Sequence, residues 1–403
     1  MSPAIALFIS LALILLLLRL KVPPGPTIFT GSVLLSLLTL SPAETPRLML
    51  RAITDVQTLR LLAIVICALT MSRLMEQRGL LTRLADALEG IGPRLAIHVA
   101  PAAIGLMPLP GGAVVSAAAV KDLVRRLGLN PEQATFINFW FRHLCEFATP
   151  VYPGIIMAGV FLAVPLSFVL LHLAPIWILM LAFGSIVSMR ILRSTTPNGR
   201  RASTTSSSHI ITEIFRSAWP VMLVFVLVVA GLDAAPAFVI TIAALILQQR
   251  MSRKEVENGL RYGFDPKLLF LLYSVMLYKI VVDSSGAAQS LFTEMQTMGM
   301  PTFVILTALP ILIGASTGLS SAMVGISIPL LMPFIMTSEG VNGAAFLLAY
   351  GAGGLGYMLS PLHLCLVLSA EYFKARLAAT YRYLLPPAVA ILVCLIVLNI
   401  VVS

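Results

Sequence analysis

Apolar residues run along this chain in long, nearly uncharged segments that are separated by short polar connections. A helix needs roughly 20 apolar residues to cross the hydrocarbon core of a bilayer, which is about 30 Å thick. We therefore interpret ten of these segments as membrane crossings. They cover residues 4–18, 27–41, 60–75, 133–162, 167–189, 213–232, 235–249, 266–283, 341–372 and 384–402.

The apolar stretch at residues 95–122 does not have the length pattern of a simple crossing. Only thirteen residues separate Arg94 from Pro108, and only eight separate Gly112 from Lys121. At a rise of about 1.5 Å per residue, neither arm reaches across the hydrocarbon core. We therefore predict a re-entrant hairpin that enters and leaves on the cytoplasmic side.

A second stretch, residues 301–336, has a polar cluster at residues 316–321 near its middle. We interpret it as a second hairpin, which enters from outside. When both hairpins are built into the topology and the N-terminus is placed outside, 22 Lys and Arg residues fall on the cytoplasmic side and 3 fall outside. This asymmetry satisfies the positive-inside rule. It predicts an inner (plasma) membrane protein with both termini outside.

The composition agrees with an all-α, polytopic membrane protein. Hydrophobic residues make up 59% of the chain and charged residues only 11%, with a mean hydropathy of +0.97. The net charge of +10 is spread in short groups between apolar segments, which indicates how the chain is oriented in the membrane. No nucleic-acid partner is predicted. The four cysteines lie inside apolar segments without paired spacing, which predicts neither a disulfide framework nor a zinc site.

A polar cytoplasmic linker at residues 191–212 divides the chain into two similar halves, 1–190 and 213–403. Three glycines of the first half recur 207 positions later. The pairs are Gly79 with Gly286, Gly92 with Gly299, and Gly111 with Gly318. Each half is interpreted as three spans, a hairpin, a broken span and a final span. Because five crossings separate equivalent points, the halves are predicted to be inverted repeats, as in many secondary transporters.

The segments 133–162 and 341–372 are longer than a straight crossing needs, and each is interrupted near its centre. The interruptions are residues 149–154, which contain two prolines, and residues 360–363. New half-helices are expected to begin just after the two hairpin tips and the two breaks. The predicted starts are near Ala113, Ile155, Ser321 and Leu362. Four helix N-termini that meet near the midplane would favour an anion.

Two motifs resemble a known family. Residues 106–112 and 360–365 look like the signature stretches of an uncharacterised family of prokaryotic integral membrane proteins. That family is placed in the ion-transporter superfamily, near the divalent anion:sodium symporters and the citrate, gluconate and arsenite permeases. The resemblance covers most of the chain and implies a dimeric, elevator-type carrier with two hairpins and two broken helices around one substrate site. The chain departs from the symporters, whose hairpin tips carry Ser-Asn-Thr, because only Ser316 and Thr317 keep that hydroxyl character.

The candidate site residues follow from the tips, the breaks and the ionisable groups inside predicted spans, where charge is costly and usually functional. The substrate-site candidates are Pro110, Gly111, Gly112, Arg142, Thr149, Pro150, Gly318, Ser320, Ser360 and His363. The coupling-ion candidates are Ser316, Thr317, Ser321, His143 and Glu146.

Structural alternatives stay open for several of these residues. Small residues at the first tip could serve only close helix packing, hydroxyls could bond to their own helices, and Glu146 could simply neutralise Arg142. His143 and Glu146 could supply two metal ligands, but no second pair is spaced to complete a site, so no metal is predicted. No cofactor is expected beyond a sodium ion. The match of residues 351–356 to a dinucleotide fingerprint is rejected because the run lies inside an apolar span.

The leading functional hypothesis is a secondary active transporter for a small organic or inorganic anion, coupled to sodium or protons. The expected partners are the small anion, the lipid bilayer and a second copy of the chain. A cation/proton antiporter of the same fold, with Glu146 as carrier, is the first alternative. An intramembrane enzyme that uses His143, Glu146 and His363 is the second, although no nucleophile motif supports it.

Overall fold

A computed structural model describes residues 2–89, 92–108, 111–193 and 207–402, and within them the chain is almost entirely α-helical. The first half contains α1 Pro3–Arg19, α2 Pro24–Thr39, α3 Glu44–Thr54, α4 Val56–Gln77, α5 Leu80–Glu89, α6 Pro93–Ile104, α7 Gly112–Ala119, α8 Lys121–Arg126, α9 Pro131–Arg142, a 3₁₀ turn Leu144–Phe147, α10 Pro153–Leu162 and α11 Leu166–Arg193. The second half contains α12 Ser207–Val229, α13 Ala234–Gln248, α14 Arg253–Gly263, α15 Pro266–Ser285, α16 Ala287–Thr297, α17 Thr302–Thr317, α18 Ser320–Ile335, α19 Gly343–Met358, α20 Leu364–Phe373 and α21 Leu377–Val402.

The strands form one small antiparallel hairpin between α18 and α19. Strand β1 is Met336–Thr337 and strand β2 is Gly340–Val341, with Met336 opposite Val341 and Thr337 opposite Gly340. The hairpin is therefore only a tight connection in an all-α fold.

The all-α, polytopic membrane fold predicted from the sequence is confirmed. Among the described residues, five helical segments are long and apolar enough to cross a membrane by length and composition. They are Val56–Gln77, Leu166–Arg193, Ile211–Val229, Arg253–Ser285 and Leu377–Val402. Shorter apolar helices occupy most of the other predicted spans and the hairpin arms. The total of ten crossings stays a prediction.

Two boundaries differ from those predicted. The linker expected at residues 191–212 begins and ends in helix, because α11 continues to Arg193 on buried Ile191 and Leu192, and α12 starts at Ser207. The remainder of that linker, residues 194–206, lies outside the described residues. The structure also contains α3, α5, α14 and α16, which are too short and too polar to appear as spans in the sequence.

The order of helices and several unusual backbone positions recur between the halves. All six glycines of the three sequence pairs have positive φ, which glycine adopts without steric cost. The hairpin arms are equivalent as well. A Cβ at Gly105 would overlap the carbonyl of Arg142, and a Cβ at Gly314 would lie 2.5 Å from the carbonyl of Gly353. These repeated contacts support two structural repeats, whose inverted orientation stays a prediction.

The centre of the fold is formed by the second hairpin and the first part of the second broken helix. Nearly every residue of α19 is buried, and α18 packs against α10, α15, α17 and α19. Helices α1, α11, α12 and α21 instead expose large apolar side chains along their outer faces. Such contiguous exposed apolar surface is the pattern expected for contact with lipid.

Candidate functional site

Four half-helices begin inside the structure, within about two residues of the predicted starts. They are α7 at Gly112, α10 at Pro153, α18 at Ser320 and α20 at Leu364. The first turn of an α-helix has backbone N–H groups without intrahelical acceptors. None of these four helices has a side-chain cap at its N-terminus.

The four N-termini meet in two pairs, each of which joins a hairpin to the second part of a broken helix. Helix α7 packs against α20, and α10 packs against α18. Arg142 reaches the first pair, which we call the Arg142 junction, and Glu146 reaches the second, which we call the Glu146 junction. Each junction combines one helix from each half of the chain.

The first broken helix ends earlier than the sequence indicated. Helix α9 stops at Arg142 and is followed by the 3₁₀ turn Leu144–Phe147, whereas the interruption was predicted at residues 149–154. Pro150 and Pro153 lack the amide hydrogens that would bond to Glu146 and Thr149 in a continuous helix. The irregular segment nevertheless extends back to His143, where i→i−3 bonds from the His143 and Glu146 amides replace the α-helical pattern. Arg142 and Glu146 therefore do not lie on one regular helix face.

At the Arg142 junction, a buried guanidinium lies between two helix N-termini. Arg142 is only 4% exposed, and its Nη1 donates to Sγ of Cys365, in the first turn of α20, at 3.4 Å. A Cβ at Gly112, the first residue of α7, would overlap the guanidinium, so the Arg142 side chain packs directly against the start of this helix. The positive ends of two helices and the full positive charge of the guanidinium therefore lie close together.

Asn138 fixes the two helices of this junction relative to each other. Its fully buried side-chain amide donates to the Ala113 carbonyl on α7 at 3.2 Å and to the Ser369 hydroxyl on α20 at 3.0 Å. Asn138 was not among the predicted site residues, because a single asparagine in an apolar span has no signature. Only its position one helical turn before Arg142 could have drawn notice.

At the Glu146 junction, a buried carboxyl group takes the place of the guanidinium. Glu146 is 7% exposed and lies beside the hydroxyls of Ser320, the first residue of α18, and Tyr357 of α19. A Cβ at Gly154, in the first turn of α10, would lie 3.5 Å from Cβ of Ser320, so the two helix starts are in close contact. A carboxylate here compensates the positive ends of both helices.

Two histidines connect the halves between these junctions. Nε2 of His143 lies 3.0 Å from Nε2 of His363, and 3.9 Å from an oxygen of Glu146. Cys365 Sγ belongs to the same cluster, in which all three ligand atoms of His143, His363 and Cys365 lie within 4.8 Å of one another. No second pair of ligands could be recognised from sequence spacing, whereas the fold brings His363 and Cys365 beside His143.

Several predicted hydroxyl groups are already bonded to the backbone. Thr149 donates to the Cys145 carbonyl at 2.9 Å, and Thr317 donates to the Gly314 carbonyl at 3.3 Å. Ser360 donates to Ala315 of the second hairpin at 2.6 Å and accepts from the Leu362 amide at 3.1 Å. These side chains therefore shape the breaks and the hairpin tip directly.

The remaining candidates occupy the tips and their surroundings. Gly318 lies against the backbone of Leu362 and His363, and Pro150 is buried in the first break. Ser316 and Ser321 are half-buried at the second tip, and their role with a cation stays a prediction. Gly111 begins α7 with a φ of 74°, whereas Pro110 lies outside the described residues.

Comparison with known proteins gives the family and the fold. Residues 1–402 match DUF401, which is described as a family of proteins of unknown function. The chain belongs to the DUF401 family. No curated protein matches the chain. The predicted membership of an uncharacterised family is thus confirmed, while the relation to the ion-transporter superfamily stays a prediction.

A crystal structure with a similar fold is that of the Alcanivorax borkumensis YdaH transporter, which is described as having an unusual topology. It superposes with a TM-score of 0.64 at 15% sequence identity and covers 90% of this chain and 89% of its own. At this level of identity the similarity concerns the fold.

Proposed function

We propose that this protein is a secondary active transporter that moves a small organic or inorganic anion across the membrane, coupled to a sodium or proton gradient. The fold shared with the YdaH transporter supports the class of transporter. The observation that carries the choice of an anion is the buried guanidinium of Arg142 between the N-termini of α7 and α20.

The Arg142 junction has the donors that a carboxylate, phosphate or sulfate requires. Guanidinium presents several N–H groups in a planar fork that fits two oxygens of such an anion. The first-turn amides of α7 and α20 would supply further donors, and glycine at residue 112 lets backbone and ligand approach closely. Because the site is buried, these charged hydrogen bonds would be stronger than in water.

The arrangement also suits transport by movement of the hairpins with the broken helices. Both junctions join these elements through their tips, so they would move together as one body against the outer helices. This elevator-type movement and a homodimeric assembly are the parts of the proposal that rest on the family resemblance. The hydroxyls at residues 316, 317 and 321 are the proposed place for a coupling sodium ion.

The direct test is uptake into liposomes that contain the purified protein. Radiolabelled succinate, citrate, gluconate, phosphate and sulfate are each offered with a sodium gradient, a proton gradient, or neither. We expect at least one anion to accumulate only when a gradient is present, and Arg142→Gln to abolish this uptake. Arg125→Gln, at an exposed position, serves as the matched control.

Two results would contradict the proposal. Uptake that is independent of every gradient would exclude secondary active transport. Sodium–proton exchange that no anion affects would instead favour the cation/proton antiporter.

A further inference from the structure

The cluster of His143, His363 and Cys365 has a property that anion transport does not explain. Its three side chains come from the end of α9 and the start of α20, and all are buried or half-buried. Their potential ligand atoms lie within 4.8 Å of one another. Imidazole nitrogen and thiolate sulfur are the ligand types that Zn²⁺ and similar transition metals prefer.

The hydrogen bonds of the two rings determine which nitrogen of each ring is protonated. Nδ1 of His143 lies 2.6 Å from the Phe139 carbonyl, and Nδ1 of His363 lies 2.8 Å from the Gly318 carbonyl. A carbonyl only accepts, so each Nδ1 must donate a hydrogen. In neutral rings, both Nε2 atoms then have lone pairs, which face each other at 3.0 Å. A shared cation between them would remove this repulsion.

The same bonds are the usual surroundings of a metal-binding histidine. A histidine that ligates a metal typically donates its second ring N–H to a backbone carbonyl or carboxylate, which fixes the ring and its tautomer. Both rings here are held in this way, by carbonyls from different elements. The two Nε2 atoms are therefore oriented before any ion binds.

Cys365 and its neighbours provide the third ligand and the charge balance. Arg142 donates to Sγ of Cys365, a contact that stabilises the thiolate form required for metal binding. The Glu146 carboxyl, 3.9 Å from Nε2 of His143, adds negative charge beside the cluster and opposes that of the guanidinium. Because metal–nitrogen distances are about 2.1 Å and metal–sulfur distances about 2.3 Å, ligand atoms up to 4.8 Å apart would move closer together on binding.

We propose that His143 Nε2, His363 Nε2 and Cys365 Sγ bind one transition-metal ion of the Zn²⁺ class. With three protein ligands, a fourth coordination position remains open for water or an anion. The site would join the two halves of the chain at the breaks. This inference is independent of the proposed transport activity, because the ligands alone carry it.

The test uses the full-length protein in detergent, stripped with a chelator and titrated with Co²⁺, a spectroscopic substitute for Zn²⁺. We expect one equivalent of Co²⁺ to bind, with a thiolate-to-Co²⁺ charge-transfer band and visible bands typical of four-coordinate cobalt. Zn²⁺ should displace the Co²⁺. Cys365→Ser should remove the charge-transfer band, and His143→Gln or His363→Gln should weaken binding at least tenfold.

Two control variants separate this site from other cysteines and histidines. Cys394→Ser changes another intramembrane cysteine in α21, and His172→Gln changes a histidine whose Nδ1 also lies beside the carbonyl four residues earlier. Both should bind Co²⁺ as the wild-type protein does. Binding of less than half an equivalent by the wild-type protein, or a charge-transfer band that persists in Cys365→Ser, would overturn the proposal. Neither result depends on transport, so the proposed function can fail separately.

Discussion

The Arg142 junction and the Glu146 junction have the same backbone plan and opposite charges. In each, the N-terminus of a hairpin helix meets the N-terminus of a broken helix, without a side-chain cap on either. At one junction a carboxyl group compensates the positive helix ends, whereas at the other a guanidinium adds to them. Duplicated backbone geometry therefore leaves the choice of ligand to single side chains, and the proposed anion is assigned to the Arg142 junction for this reason.

The two halves do not share this chemistry equally. At a spacing of 211 residues, Arg142 corresponds to Gly353, and Glu146 corresponds to Tyr357, whose hydroxyl lies beside it. The first half thus provides both charges, and the second half provides small or hydroxyl-bearing residues at the equivalent places. Each junction needs both halves to be complete.

Removal of the positive charge of Arg142 should have the largest effect on the difference between the two junctions. Arg142→Gln should lower the affinity for a transported anion by about 100-fold, since charged hydrogen bonds contribute about 3 kcal/mol. Anion-dependent stabilisation against heat measures this affinity, because a ligand that binds only the folded state raises its stability. Arg142→Lys should retain part of the binding. An unchanged affinity in Arg142→Gln, with the protein still folded, would place the anion elsewhere.

The backbone equivalence of the halves predicts matched losses of stability. Gly105→Ala and Gly314→Ala each place a Cβ against a backbone carbonyl, of Arg142 and Gly353 respectively. Overpacking of this kind costs about 2 kcal/mol, so the apparent Tm of both variants should fall by several degrees. Leu312→Ala, on the same helix as Gly314 but 51% exposed, should change it little. A large fall in only one glycine variant would show that the two hairpins are packed differently.

Much of the fold could be predicted because its signals are local. Apolar length indicated the helical segments, the prolines at residues 150 and 153 indicated the first break, and the paired glycines coincide with positive-φ positions in both halves. The start of each half-helix followed from the same residues. Extension of the first break back to His143 could not be read from the sequence, because the two prolines remove bonds only to Glu146 and Thr149.

The chemistry of the site was harder to predict because its contacts join distant parts of the chain. His143 and His363 are 220 residues apart, and Arg142 and Cys365 are 223 apart. Cys365 was not predicted as a ligand, since no spacing rule links it to a histidine in the other half. The role of Asn138 was missed for the same reason, because its partners lie on α7 and α20.

Removal of the negative charge should sharpen the distinction between the junctions. Two like charges repel by about 1 kcal/mol at a separation of roughly 10 Å in a partly polar medium, and on this scale Glu146→Gln should strengthen anion binding about fivefold. The measurement is the same thermal titration with the anion identified by uptake. Tyr350→Phe, which removes a buried hydroxyl near Glu146 without altering charge, is the control. Weakening of anion binding by Glu146→Gln to the extent seen in Arg142→Gln would mean that both junctions hold the anion.

The smallest expected effect concerns the outer ends of the same broken helices. Asn130 caps α9 through the Gln133 amide, and Asn342 caps α19 through the Ala345 amide, whereas the interior starts α10 and α20 have no such caps. Loss of a cap costs about 1 kcal/mol, so Asn130→Ala and Asn342→Ala should each lower the apparent Tm by a few degrees. Anion uptake and affinity should not change, because these amides have no part in the junctions. A loss of anion affinity in either variant would show that anion binding also depends on the capped N-termini of α9 and α19.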